Sequence, residues 1–76
     1  MSLLETKANL EQIVNVESGY NKIAATHLLQ EIIALEEGSN SKMKFKSRVL
    51  QIMNFYQGYP SSSNLINSCK DLLKHH

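Results

Sequence analysis

The fold is decided by residues 21–38, NKIAATHLLQEIIALEEG, which have the regular spacing of a helix with one apolar face. At about 100° per residue, that face collects the side chains of Ala25, Leu28, Leu29, Ile32 and Leu35. Asn21 has a side chain suited to a helix N-cap, and Gly38 is suited to the left-handed residue after a helix end. The stretch therefore predicts an amphipathic helix over residues 22–37.

Three further segments follow the same period. The apolar positions of the two later ones are Phe45, Val49, Ile52, Met53 and Tyr56, and then Leu65, Ile66, Cys69, Leu72 and Leu73. They predict one helix over residues 42–57, with Ser41 as its N-cap, and another over residues 62–74. Near the start of the chain Leu3, Leu10 and Val14 align, which predicts a helix over residues 3–17 with those three side chains inward.

No pair of segments has the alternation of two partner strands, and an isolated strand cannot satisfy its own backbone. A chain of 76 residues has room for one small core. The sequence therefore predicts an all-α fold, a small bundle of three to four amphipathic helices with short connections. We expect residues 1–76 to form a single helical domain.

Charge is divided unevenly along the chain, although the formal net charge is only +1. Residues 1–41 contain two lysines and six glutamates, whereas residues 42–76 contain six basic side chains and one aspartate. The small net charge gives no global attraction to nucleic acid or anionic lipid. The oppositely charged halves instead suggest a homodimer in which each acidic half lies on a basic half.

The basic half opens with a cluster at residues 39–48, SNSKMKFKSR. In a helix, Lys42 lies beside the apolar face, whereas Lys44 and Arg48 lie together near the solvent side. Charges separated in this way can straddle the major groove of DNA. A DNA-binding transcriptional regulator that uses the basic helix 42–57 is therefore the alternative function.

Two acidic residues precede this cluster. Glu36 and Glu37 end the second helix, and we expect them to face the lysines across the GSNS turn, where the opposite charges neutralise each other. A phosphate bound at the turn would lie near these carboxylates. The cluster is therefore interpreted first as a structural or protein-facing surface, with nucleic acid as the less favoured partner.

Two aromatic residues lie off the apolar stripes. Phe55 projects about 100° from the stripe of the third helix, and Tyr59 lies in the turn GYPS at residues 58–61. Exposed rings of this kind are typical of anchors for a protein partner. The residues predicted to contact a partner or nucleic acid are Lys42, Lys44, Arg48, Phe55 and Tyr59.

Residues that could carry catalysis or bind a cofactor are few. The sequence has no Ser-His-Asp set, no phosphate-binding glycine loop and no CxxC pair. His27 and Glu31 are spaced for chelation but lack a third ligand, and Cys69 lies on an apolar face. We therefore expect no enzymatic activity, no catalytic residue, no cofactor and no metal.

Targeting signals are also missing from the sequence. The start MSLLETKANL has a glutamate where a signal peptide has basic residues, and no apolar run approaches the roughly 20 residues of a membrane span. An unpaired cysteine is typical of a reducing compartment. The sequence predicts a cytoplasmic protein with no transmembrane segment.

Residues 31–53, EIIALEEGSNSKMKFKSRVLQIM, resemble the middle of the small enterobacterial two-component connector proteins, which are dimeric helical regulators. The helix order resembles that of helical bacteriocin-immunity proteins. Neither resemblance includes a diagnostic motif, and neither assigns a site residue. The preferred hypothesis is a small non-enzymatic helical regulator or adaptor that acts by protein–protein interaction; a bacteriocin-immunity-like protein is the weaker alternative.

Overall fold

The helical periodicity of the sequence is realised as four α-helices in the computed structural model of the chain, which describes residues 3–75. The helices are α1 (Leu3–Val16), α2 (Tyr20–Glu36), α3 (Lys42–Tyr56) and α4 (Ser63–His75), with a short 3-10 turn, Pro60–Ser62, before α4. No strand occurs within this described range. The predicted all-α fold is confirmed.

The start of α2 differs from the sequence prediction. Gly19, at φ 69°, takes the N-cap position that was assigned to Asn21. The Asn21 amide instead donates to Glu17 Oε1 at 2.8 Å and to the Ser61 carbonyl at 2.9 Å, and it accepts from Ser62 Oγ at 2.6 Å. The cap prediction was wrong because contacts with a distant turn engage this side chain, and glycine alone readily adopts a positive φ.

The predicted end of the second helix at Gly38 and the predicted Ser41 cap of the third helix are confirmed. Gly38, at φ 78°, follows α2 and donates to the Leu35 carbonyl at 3.1 Å, while the Ser39 amide donates to the Ala34 carbonyl at 2.9 Å. This pair of bonds is a Schellman motif, which satisfies carbonyls that the helix leaves unpaired. At the start of α3, Ser41 Oγ accepts from the Lys44 amide at 3.1 Å.

The core lies between all four helices, because α2 packs on α1, α1 and α3 pack on α4, and α2 reaches α3 and α4 as well. Its fully or nearly fully buried apolar side chains are Leu10, Ile13, Ala24, Ala25, Leu28, Ile32, Phe45, Val49, Leu65, Ile66, Cys69 and Leu72. The inward faces predicted for the second, third and fourth helices are therefore confirmed in outline. No helix within residues 3–75 is long and apolar enough to cross a lipid bilayer.

The inward face of α1 differs from the predicted one. Thr6, Leu10 and Ile13 are buried, while Leu3 and Val14 are only half-buried. The buried face of α1 differs from the predicted one because α1 packs against both α2 and α4. The apolar period of one segment does not specify which neighbouring helices it will contact.

The most extensively packed helix pairs are α1 with α2 and α3 with α4, whereas α2 and α3 pack against each other less extensively. The looser contact leaves a series of clefts between α2 and α3 that open to solvent. These clefts hold most of the side chains that the sequence marked as candidates for binding.

Candidate functional site

The largest of these clefts lies where the start of α2 meets the end of α3 and the following turn. Its volume is about 510 Å³. Its lining consists of Ser18, Gly19, Tyr20, Asn21, Phe55, Tyr56, Tyr59, Ser61 and Ser62. Because four of these residues are aromatic, we call this cleft the aromatic groove.

Tyr56 holds the aromatic groove together. Its ring is half-buried and lies 5.0 Å from the Phe55 ring in an edge-to-face arrangement and 6.2 Å from the Tyr59 ring. Its hydroxyl donates to the Tyr20 carbonyl at 3.2 Å, which ties the end of α3 to the start of α2. Burial, with smaller contributions from Tyr20 and Tyr59, raises the pKa of Tyr56, so the hydroxyl stays protonated as the donor.

The other rings of the aromatic groove face solvent. The exposed fractions of Tyr20, Phe55 and Tyr59 are 76%, 68% and 55%. Ile23 is also more than half exposed on the same side of α2. Exposed apolar side chains are ordinary when scattered singly, but a group that lines one groove is typical of an interaction site.

A second cleft of about 270 Å³ continues the aromatic groove along α2 and α3. It shares Phe55 and Tyr56 with that groove, and it adds Ile23, His27 and Ile52. The apolar surface therefore extends from the 58–62 turn toward the middle of α3.

A third cleft of about 370 Å³ follows, sharing Arg48 and Gln51 with the second. Here Lys44 and Arg48 lie on the same face of α3 as Phe55, because separations of four, seven and eleven residues return to one side of a helix. We call Lys44 and Arg48 the basic strip. The basic strip and the aromatic groove thus lie along one row of adjoining clefts, which we call the channel.

One residue of the basic strip, Arg48, pairs with a carboxylate of α2. Arg48 Nε lies 3.4 Å from Glu31 Oε1, and Asn40 Nδ2 donates to Glu31 Oε2 at 2.7 Å. The Arg48 side chain is still 58% exposed. Arg48 is exposed, as predicted, and its helix face also borders the junction with α2.

The expected neutralisation across the GSNS turn takes a different form. Glu36 Oε1 pairs with Lys7 Nζ on α1 at 3.1 Å, and the carboxylate that approaches the basic cluster is Glu31. The turn itself is held by the Ser39 hydroxyl, which donates to the Ala34 carbonyl at 3.1 Å. The partner of Glu36 is therefore set by the helix packed beside it, and its position in the sequence does not specify that partner.

Four of the five predicted site residues fall on the channel: Lys44, Arg48, Phe55 and Tyr59. Lys42 is exposed, but two helical residues turn it about 200° from Lys44, so it faces another side of α3. Sequence reasoning did not identify Tyr20 and Ile23 as binding residues. Both come from α2, and the only sequence signal was that each is apolar or aromatic yet lies off the predicted inward face.

Groups with reactive chemistry are poorly placed. Burial raises the pKa of the Cys69 thiol to about 12, so the thiolate is scarce near neutral pH. His27 is exposed beside the channel. Within the described part of the chain, no three His, Cys, Asp or Glu residues form a group that could hold a metal ion.

Comparison with protein-family models, with curated proteins and with solved structures gave no match to this chain. The resemblance of residues 31–53 to two-component connector proteins and that of the helix order to bacteriocin-immunity proteins gain no support from these comparisons. The arguments about function therefore start from the channel itself.

Proposed function

We propose that this protein is a small non-enzymatic helical regulator or adaptor, active in the cytoplasm, that works by binding another protein through the aromatic groove. The observation that carries the proposal is the set of exposed rings of Tyr20, Phe55 and Tyr59 around one groove. The half-buried ring of Tyr56 supports them from beneath.

The rings can supply part of the free energy of specific binding, since association itself costs about 4–15 kcal/mol. Burying one large aromatic side chain is worth about 2–3 kcal/mol, and tyrosine is enriched among the residues that dominate protein interfaces. Two such rings fully covered would contribute about 4–6 kcal/mol before the cost of association. A groove of this kind gives a protein partner a place to insert an apolar anchor.

The DNA-binding alternative receives less support from the contacts of α3. Arg48, one of the two cations of the basic strip, is paired with Glu31. Within the described residues, the pair leaves Lys44 as the only cation of the basic strip without a carboxylate partner, whereas DNA binding depends on several phosphate contacts.

The test is affinity capture from an extract of the native host with immobilised protein, followed by binding of the purified partner. We expect the Phe55→Ala variant to remain folded but no longer to capture the partner protein. The matched control is Leu4→Ala, which removes an exposed apolar side chain on α1 and should keep the partner. Capture of nucleic acid in place of a protein, with an affinity that falls steeply as salt rises, would overturn the proposal.

A further inference from the structure

The channel between α2 and α3 has an apolar end and a basic end at a fixed spacing. At a rise of 1.5 Å per residue, Arg48 lies about 10 Å and Lys44 about 16 Å from Phe55 along the α3 axis. The three clefts that join these residues form a row, because each shares lining side chains with the next. A ligand that uses both ends must extend over about three helical turns.

We propose that the channel binds an acidic amphipathic α-helix of a partner protein. This inference rests on the proposed function and names the partner's chemistry. An apolar side chain of the partner helix inserts between Tyr20, Phe55 and Tyr59, and carboxylates seven and eleven residues away meet Arg48 and Lys44. A helix in a groove presents anchors at such intervals because they lie on one of its faces.

The contacts of the basic strip fit this partner. A guanidinium has five N–H donors, and the contact with Glu31 is made through Nε. Glu31, itself held by Asn40, acts as a positioning residue that sets the guanidinium at the edge of the channel. The exposed part of Arg48 can then donate to a second carboxylate, a charge-assisted pair that is stronger than a neutral hydrogen bond.

A second copy of this chain fits the channel less well. Its exposed acidic residues on α1, Glu5 and Glu11, belong to a helix that makes at most marginal contact with α3. Docking α1 of one copy into the channel of another would join two different surfaces. Such a contact closes into a dimer only if both copies insert α1 reciprocally, and otherwise produces a ring or an open chain of molecules.

The probe is a synthetic helix of about 16 residues with a phenylalanine and two leucines near one end and glutamates seven and eleven residues from the phenylalanine. Its twin has lysines in place of the two glutamates. Isotope-labelled protein is titrated with each peptide, and backbone amide shifts report the residues contacted. We expect shifts at Ile23, Arg48 and Phe55, and a loss of at least about tenfold in affinity for the twin.

Three variants locate the contacts. Phe55→Ala should weaken binding by about tenfold or more, and Lys44→Gln combined with Arg48→Gln should remove the preference for the acidic peptide over its twin. Lys70→Gln, which removes an exposed cation on α4, is the matched control and should bind as the parent does. Unfolding curves establish that each variant is folded.

The outcomes separate this inference from the proposed function. Equal binding of the acidic peptide and its twin, shifts outside the channel, or no binding would overturn the acidic-helix inference. If the host protein is still captured in a Phe55-dependent way, the protein-binding function stands without it. Duplex DNA that competes for the same amides, or a dimer of this chain that uses the channel, would also overturn the inference.

Discussion

Leu28 and Ile32 have no solvent-exposed surface, and they lie one turn apart at the centre of the core. Each truncation to alanine removes buried apolar contacts and leaves a cavity that four short helices cannot fill. We expect Leu28→Ala and Ile32→Ala each to lower the free energy of unfolding by about 2–5 kcal/mol. Urea denaturation followed by circular dichroism measures this change.

The neighbour of Ile32 supplies the control at the same scale. Ile33 is 47% exposed on the same helix, so Ile33→Ala should cost clearly less than either core truncation. A domain of this size has only a few kcal/mol of stability to lose. If Leu28→Ala unfolded at the same urea concentration as the parent, the assignment of the inward face of α2 would be contradicted.

At the scale of the element, the end of α2 depends on the conformation of Gly38. Its φ of 78° lies in the left-handed region, and a Cβ added there would meet no atom within 4 Å. Any cost of Gly38→Ala therefore comes from the backbone conformation and not from a clash. We expect it to lower the free energy of unfolding by about 1–2 kcal/mol, measured by urea denaturation.

Gly58 provides a matched control for this prediction. It also has open space where a Cβ would lie, but its φ is not positive. Gly58→Ala should leave stability unchanged or raise it by up to about 1 kcal/mol, because alanine restricts the unfolded chain. Equal losses for the two substitutions would show that the Schellman motif does not depend on the left-handed residue.

At the scale of the whole molecule, the two charged halves are partly neutralised within one chain. Glu31 of the acidic half pairs with Arg48 of the basic half, and Glu36 pairs with Lys7. The surface charges outside these pairs remain of opposite sign in the two halves. Our hypothesis of self-association therefore requires that the remaining exposed charges of one copy attract those of another.

If those charges drive a homodimer, its dissociation constant should rise between low salt and roughly 0.5 M, because salt screens exposed pairs. Sedimentation equilibrium at several salt concentrations measures it. Phe55→Ala, which changes no charge, should leave the salt dependence as it is. A dimer indifferent to salt would indicate an apolar interface, and a strict monomer at high concentration would contradict self-pairing.

The candidate site could be predicted from the sequence only in part. Phe55 and Tyr59 were identified because each departs from the apolar stripe of its neighbourhood, and Lys44 and Arg48 because their spacing places them on one helix face. Tyr20 could not be identified in this way. It lies 35 residues before Phe55 in the sequence, and a local pattern has no information about which distant segment will lie beside it.

The sequence by itself determined the four helices, the ends of α2 and α3 at Gly38 and Ser41, and the inward faces of three helices. These features follow from contacts within a few residues: the 3.6-residue period, a serine that caps a helix and a glycine that tolerates a positive φ. Only the tertiary structure decided that α2 and α3 pack less extensively than α1 and α2 do, that Asn21 contacts the 58–62 turn, and that Glu31 approaches Arg48. Those features depend on how side chains from all four helices fill one core, and the channel is the space that this packing leaves open.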